Sequence, residues 1–152
     1  MKHDEYAAEL FVKGYNCAQA ITVAFCDVTG LDMSFSAKMA SSFGGGMGRM
    51  REVCGAVSGM LMVAGLLYGY DTTDNDVAKK AHYKLVQELA GQFREQVGSI
   101  ICREILKNPP SDPNPTPRTA EFYRVRPCAR LLVLAAGILD EYMAEHPVEK
   151  QV

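Results

Sequence analysis

The chain has 152 residues, a formal charge of −2, and is 48% hydrophobic and 22% charged, the balance expected of one globular domain over 1–152 with a sizeable core. That profile argues against disorder, and the lack of a long basic stripe argues against nucleic acid as a partner. The start, Met1 to Tyr6, has neither the basic stretch nor the apolar run of a secretory signal, so the chain is expected in the cytoplasm.

From Ala7, apolar or small residues recur at steps of three and four: Leu10, Phe11, Gly14, Cys17, Ala18, Ile21, Ala24 and Phe25. Gly14 is placed to interrupt this helix. Asn16 is placed to cap a new start, with Gln19 completing a capping box, and Gly30 to end the unit. A short helix over Ser36–Phe43 then meets Gly44-Gly45-Gly46-Met47-Gly48, which is too glycine-rich to continue it. This run lacks the Lys-Ser/Thr ending of a phosphate-binding loop and reads as a tight turn. The next helix is predicted from about Arg51 to Leu67, apolar all round, and so at the centre of a bundle. Val53 to Tyr70 carries no charge, but it is barely span length and holds Gly55, Gly59, Gly65 and Gly69. A buried core helix is expected there, with no membrane span. Gly55 and Gly59 lie one turn apart, a spacing that lets a neighbouring helix pack closely.

After the turn at Tyr68–Asp76, a long amphipathic helix shows Val77, Ala81, Leu85, Leu89, Phe93 and Val97 at every fourth residue. Gly98 breaks it, and Ser99 is expected to cap a shorter helix through Leu106. Asn108 to Pro117 is a proline-rich loop, because proline lacks the amide donor and restricts the residue before it. Pro127 suits the first position of a final helix running to about Glu145, with Leu131, Leu134, Ala135, Ile138, Leu139 and Tyr142 as its buried stripe. No segment alternates like a strand. The fold class is therefore all-α: a compact helical bundle around a central apolar helix, with a Pro-rich loop.

Chemistry has few candidates. His3 reads as a tail residue, His82 as surface, and His146 as a neighbour of the terminal Pro147. Arg49, Arg51, Arg124, Arg126 and Arg130 read as solvated surface, and the methionines as core fillers. The cysteines remain: Cys17, Cys26, Cys54, Cys102 and Cys128. In a reducing compartment such residues pack, bind metal or react, and an odd number leaves one thiol outside any set of pairs. Four of them fall at predicted helix starts: Cys17 after Asn16, Cys54 after the glycine turn, Cys102 after Ser99 and Cys128 after Pro127. Cys26 differs, falling late in its helix with no start signal beside it. The helix N-terminus favours a thiolate, the reactive and metal-binding form, by ~0.3–1 kcal/mol and up to ~2 when partly buried. Arginines near Cys54, Cys102 and Cys128 in the chain would add to this. Taken singly, each cysteine is better explained by core packing than by function.

Cys54-Gly55-Ala56-Val57-Ser58-Gly59, the Gly14–Ala20 segment around Cys17, Cys102, Cys128 and the ending Gly65–Gly69 together resemble the C_GCAxxG_C_C family of small redox-active proteins. The resemblance covers about residues 5–140. It implies a redox role and a link to transporter systems. The leading expectation is a thiol redox protein, a thiol-dependent oxidoreductase. Cys17, Cys54, Cys102 and Cys128 would converge at one end of the bundle for thiol/disulfide or electron-transfer chemistry, with Cys54 as the attacking thiolate. The second is a binding protein whose same four thiolates hold zinc or an iron–sulfur cluster. The third is a helical structural or partner-binding module with the cysteines in its core. Substrate, redox partner, cofactor, disulfide pairing and assembly into a homo-oligomer stay open.

Overall fold

The computed structural model describes residues 2–148. Its helices are α1 (His3–Val12), α2 (Cys17–Ala24), α3 (Cys26–Thr29), α4 (Met33–Ala40), α5 (Gly44–Met47), α6 (Gly55–Tyr68), α7 (Asp76–Val97), α8 (Cys102–Ile105), α9 (Ala120–Val125) and α10 (Cys128–Glu145), with a 3₁₀ turn at Ser41–Phe43. Among the described residues no strand forms. The β pairing is one isolated antiparallel bridge between Val53 and Ile101. The fold is all-α.

Two apolar helices make the centre. α6 buries Gly55, Ala56, Val57, Gly59, Met60, Val63, Ala64 and Leu67, residues drawn from most of its circumference. α2 buries Ala18, Ala20, Ile21, Thr22, Val23 and Ala24. They lie close because α6 presents glycine to α2. A Cβ on Gly59 would stand 2.9 Å from the Ala18 carbonyl oxygen and from Ile21 Cβ, and one on Gly55 would stand 2.9 Å from Cys17 Cβ. The start of α6 is thus set beside the start of α2. α1 packs on α10 and α2, and α7 and α10 close the bundle around α6. Among the described residues no helix is long and apolar enough to cross a membrane.

The first unit divides as its sequence predicts. α1 stops at Val12, Gly14 takes φ 118°, and Gly30 caps α3 in the left-handed conformation. Asn16 Oδ1 accepts from the Gln19 amide at 2.9 Å, and the Gln19 side chain accepts from the Asn16 amide at 3.0 Å, completing the capping box.

Other boundaries moved. The helix expected from Ser36 begins at Met33, where the Asp32 carboxylate caps the Phe35 amide. The central helix starts at Gly55 instead of Arg51, because residues 52–54 are extended and pair with 100–102. Ser99 caps no helix. Its hydroxyl accepts from the Ile101 amide at 2.9 Å, and α8 begins at Cys102. Pro127 stands just before α10, so Cys128 is its first residue. The α7 stripe holds at Leu85, Leu89 and Phe93, with Val97 partly buried against the core. Val77 is 81% exposed because the first turns run past the core. α9, capped by Thr119, is an additional helix between the proline-rich loop and α10. Met33, Met39, Met47 and Met50 are exposed instead of filling the core.

Candidate functional site

The loop from Gly45 to Arg51 builds the site. Gly45, Gly46, Met47, Gly48, Arg49 and Arg51 all take positive φ, between 58° and 70°. For Met47, Arg49 and Arg51 this left-handed backbone costs about 1–2 kcal/mol each. Two backbone bonds hold the coil shut: Arg51 N to Gly45 O at 3.1 Å and Glu52 N to Gly46 O at 2.8 Å. A Cβ on Gly46 would lie 2.6 Å from the Glu52 amide nitrogen, so the coil closes only with glycine there. The coil turns Arg51 inward, where it is only 4% exposed.

The chain then runs straight for a few residues. The Cys54 amide donates to Ile100 O at 2.7 Å, and the Cys102 amide donates to Glu52 O at 2.6 Å. Since Val53 and Ile101 face each other, residues 54 and 102 share the opposite side of this pairing. Long-range pairing thereby brings two cysteines together at the mouth of α6. Glycine packing brings Cys17 to the same place, and the start of α10 supplies Cys128.

The four sulfurs expected to converge do so: Cys17, Cys54, Cys102 and Cys128 all line one small cavity of about 30 Å³ beneath the glycine coil. They are not equivalent. Cys54 and Cys102 are buried, at 5% and 7% exposure. Cys17 and Cys128 are only partly buried and also line a second, open pocket of about 290 Å³. Cys26 lies elsewhere, its sulfur 3.3 Å from Ser36 Oγ. Met47, Met50, Met60 and Met62 do not line the cavity.

Electrostatics separates the sulfurs further. Hydrogen bonding with the Cys17 thiol pulls the Cys128 thiol down to about 7; burial opposes this, and Arg126, Arg118 and Arg51 reinforce it. The same hydrogen bond, with burial, raises Cys17 well above the ordinary thiol range. Burial pushes Cys54 up to about 12, against the pull of the Ala56 and Val57 amides. Burial also raises Cys102, although Arg51 Nη1 donates to its sulfur at 3.7 Å. Cys54 was expected to attack because the glycine turn would leave it approachable. The coil instead covers it, and the acidified thiol belongs to Cys128, a partly buried residue that lines the open pocket.

Arg49, Arg51 and Arg126 are not the solvated surface their sequence suggests. Arg49, Arg51, Arg118 and Arg126 line the open pocket above Cys17 and Cys128. Arg51 Nε donates to Pro110 O at 2.9 Å, and Arg49 donates to Asp112 O at 2.8 Å and Thr116 Oγ1 at 2.6 Å. These bonds pin the Pro-rich loop over the site. Arg118 donates to the Phe11 and Tyr15 carbonyls at 2.9 and 3.2 Å and lies 4.3 Å above the Phe11 ring. Arg124 and Arg130 are exposed, as expected. Arg103 adjoins Cys102 in sequence but turns away to pair with Glu52. The usable signal was the pair Arg49 and Arg51 beside a glycine run, where backbone reversal is needed. Nothing in the sequence marked Arg118.

Among the described residues no three Cys, His, Asp or Glu side chains are disposed to hold a metal ion. The cavity between the four sulfurs is about 30 Å³.

A family model described as Putative redox-active protein (C_GCAxxG_C_C) matches residues 15–142. Comparison with curated proteins and with solved structures gives no match.

Proposed function

This chain belongs to the C_GCAxxG_C_C family, and from that premise we propose that it is a thiol–disulfide oxidoreductase working through Cys128 and Cys17. One observation carries the reading: Cys128 is the sulfur that is both acidified, to about 7, and open to a pocket. A substantial fraction is then thiolate at neutral pH, the form that attacks.

The Cys128 thiolate attacks one sulfur of a substrate disulfide R–S–S–R′. A Cys128–S–S–R bond forms, and R′–S⁻ leaves and takes a proton from solvent. This step also prepares the next. Hydrogen bonding with Cys128 is the largest influence holding the proton on Cys17. Once Cys128 is a mixed disulfide, its negative charge is gone and Cys17 is freer to ionise. Cys17 then attacks the Cys128 sulfur and expels R–S⁻, which receives the Cys17 proton. The protein dithiol is oxidised to a disulfide, and the substrate is reduced to two thiols. A dithiol reductant returns the protein to its starting state. Cys54 and Cys102, buried and protonated, tune the pair from below.

The test is trapping. Cys17→Ser treated with a small disulfide should accumulate one mixed disulfide per chain on Cys128, whereas Cys128→Ser should react at no more than a few per cent of the wild-type rate. Equal reactivity of Cys128→Ser and wild type would remove the reading.

A further inference from the structure

We infer that the open pocket over Cys17 and Cys128 is a built anion site. Its ligand is a small molecule bearing a carboxylate or other oxyanion, so the disulfide reduced is a low-mass acidic one. The second half of this inference rests on the thiol-exchange reading; the first does not.

Charge is the first ground. Four guanidinium groups, Arg49, Arg51, Arg118 and Arg126, stand in the wall of a pocket of about 290 Å³, and no carboxylate lines it. Among the described residues Arg51, Arg118 and Arg126 form no ion pair, and Arg49 reaches only the rim carboxylate of Asp112, at 3.9 Å. Concave walls of one sign focus the field and concentrate counter-ions.

The second ground is an unsatisfied donor. Arg51 is 4% exposed and has Nη2 without a hydrogen-bond partner. A buried guanidinium is expensive unless its charge and donors are met. Arg51 spends Nε on Pro110 O and Nη1 on the Cys102 sulfur, and among the described residues no carboxylate pairs with its charge.

Preorganisation is the third ground. Arg118 is fixed by two carbonyls and the Phe11 ring, and Arg126 lies 5.3 Å above the Phe122 ring. Held this way, the forks lose little entropy when they meet a planar carboxylate or an oxyanion. The volume is at the small end for ligand pockets, which suits a metabolite-sized anion over a protein surface.

The probe is a pair of alkylating reagents of the same reactive group, iodoacetate and iodoacetamide, used on the full reduced chain with modification of Cys128 read by mass spectrometry. Relative to free cysteine in the same buffer, the iodoacetate-to-iodoacetamide rate ratio should rise about tenfold or more. Arg126→Gln should bring it back toward the free-thiol value, and added potassium chloride should lower it in wild type. Inorganic phosphate should slow the reaction more than potassium chloride of equal ionic strength. A wild-type ratio no higher than that of free cysteine, or one unmoved by Arg126→Gln and by salt, would overturn the inference. These readouts need only a nucleophilic Cys128, so they stand whether or not Cys17 completes a redox cycle. Equal rates with bis(2-carboxyethyl) disulfide and bis(2-hydroxyethyl) disulfide would remove the acidic-substrate half alone.

Discussion

At the scale of single residues, proton sharing dominates. Cys17 and Cys128 shift in opposite directions through one shared hydrogen bond, so the two thiols differ in acidity. Their types and helix starts were legible in the sequence. Their burial was not, because exposure follows from which segment folds over which sulfur. The same holds for His3, which reads as a tail residue and is in fact a tie. Its Nδ1 meets Asp140 Oδ1 at 2.7 Å, its Nε2 meets Asp27 Oδ1 at 2.8 Å, and the ring stacks on Phe25 at 4.1 Å. Both ring nitrogens donate to carboxylates only in the imidazolium form. Hydrogen bonding to Asp140, helped by Asp27 and opposed by burial, raises His3 from 6.5 to about 8. A raised folded value means stability that is full below 6.5 and is lost as pH rises through 8. After allowance for solvent screening this is worth roughly 1 kcal/mol. Urea unfolding of wild type and His3→Gln should show that gap near pH ~6 and its loss near pH ~9.5. An identical gap at both values would contradict the tie.

At the scale of elements, the helices themselves were legible and their ends less so. The period of apolar residues gave α2, α6, α7 and α10, and the Asn16 capping box and Gly30 cap sit where local chemistry put them. Errors arose where distant chain overrides local preference. Residues 52–54 leave the helix they read as joining because 100–102 offers them backbone partners. Glycine roles also divide by contact. A Cβ on Gly59 would collide with Ala18 and Ile21 of α2, whereas at Gly91 in α7 and Gly137 in α10 it would meet nothing within 4 Å. Gly91→Ala and Gly137→Ala should each stabilise by about 0.5–1 kcal/mol through helix propensity. Gly59→Ala should destabilise by about 1–3 kcal/mol through overpacking. Denaturant midpoints at constant slope decide this, and a neutral Gly59→Ala would show that α2 and α6 are not in close contact.

At the scale of the whole molecule, the bundle is a device for gathering sulfurs from four stretches of chain. Gly55 admits α2 and with it Cys17; the Val53–Ile101 bridge aligns Cys54 with Cys102; the start of α10 closes the group with Cys128. A place at a helix start does not by itself bring sulfurs together, since Cys26 begins α3 and lies beside Ser36; the four-cysteine pattern of the family was the signal for convergence. The division of the four into a buried pair and an open pair had no such signal, nor had the arginine-lined pocket, since Arg51 and Arg118 reach it only through the glycine coil and the proline-rich loop. That division is the central claim, and disulfide mapping tests it most directly. The reduced wild-type chain is oxidised with less than one equivalent of a small disulfide, quenched in acid and mapped by peptide mass spectrometry. The first intramolecular bond should join Cys17 to Cys128, with Cys54 and Cys102 recovered as thiols. A first bond that includes Cys54, or four thiols that all survive, would contradict it.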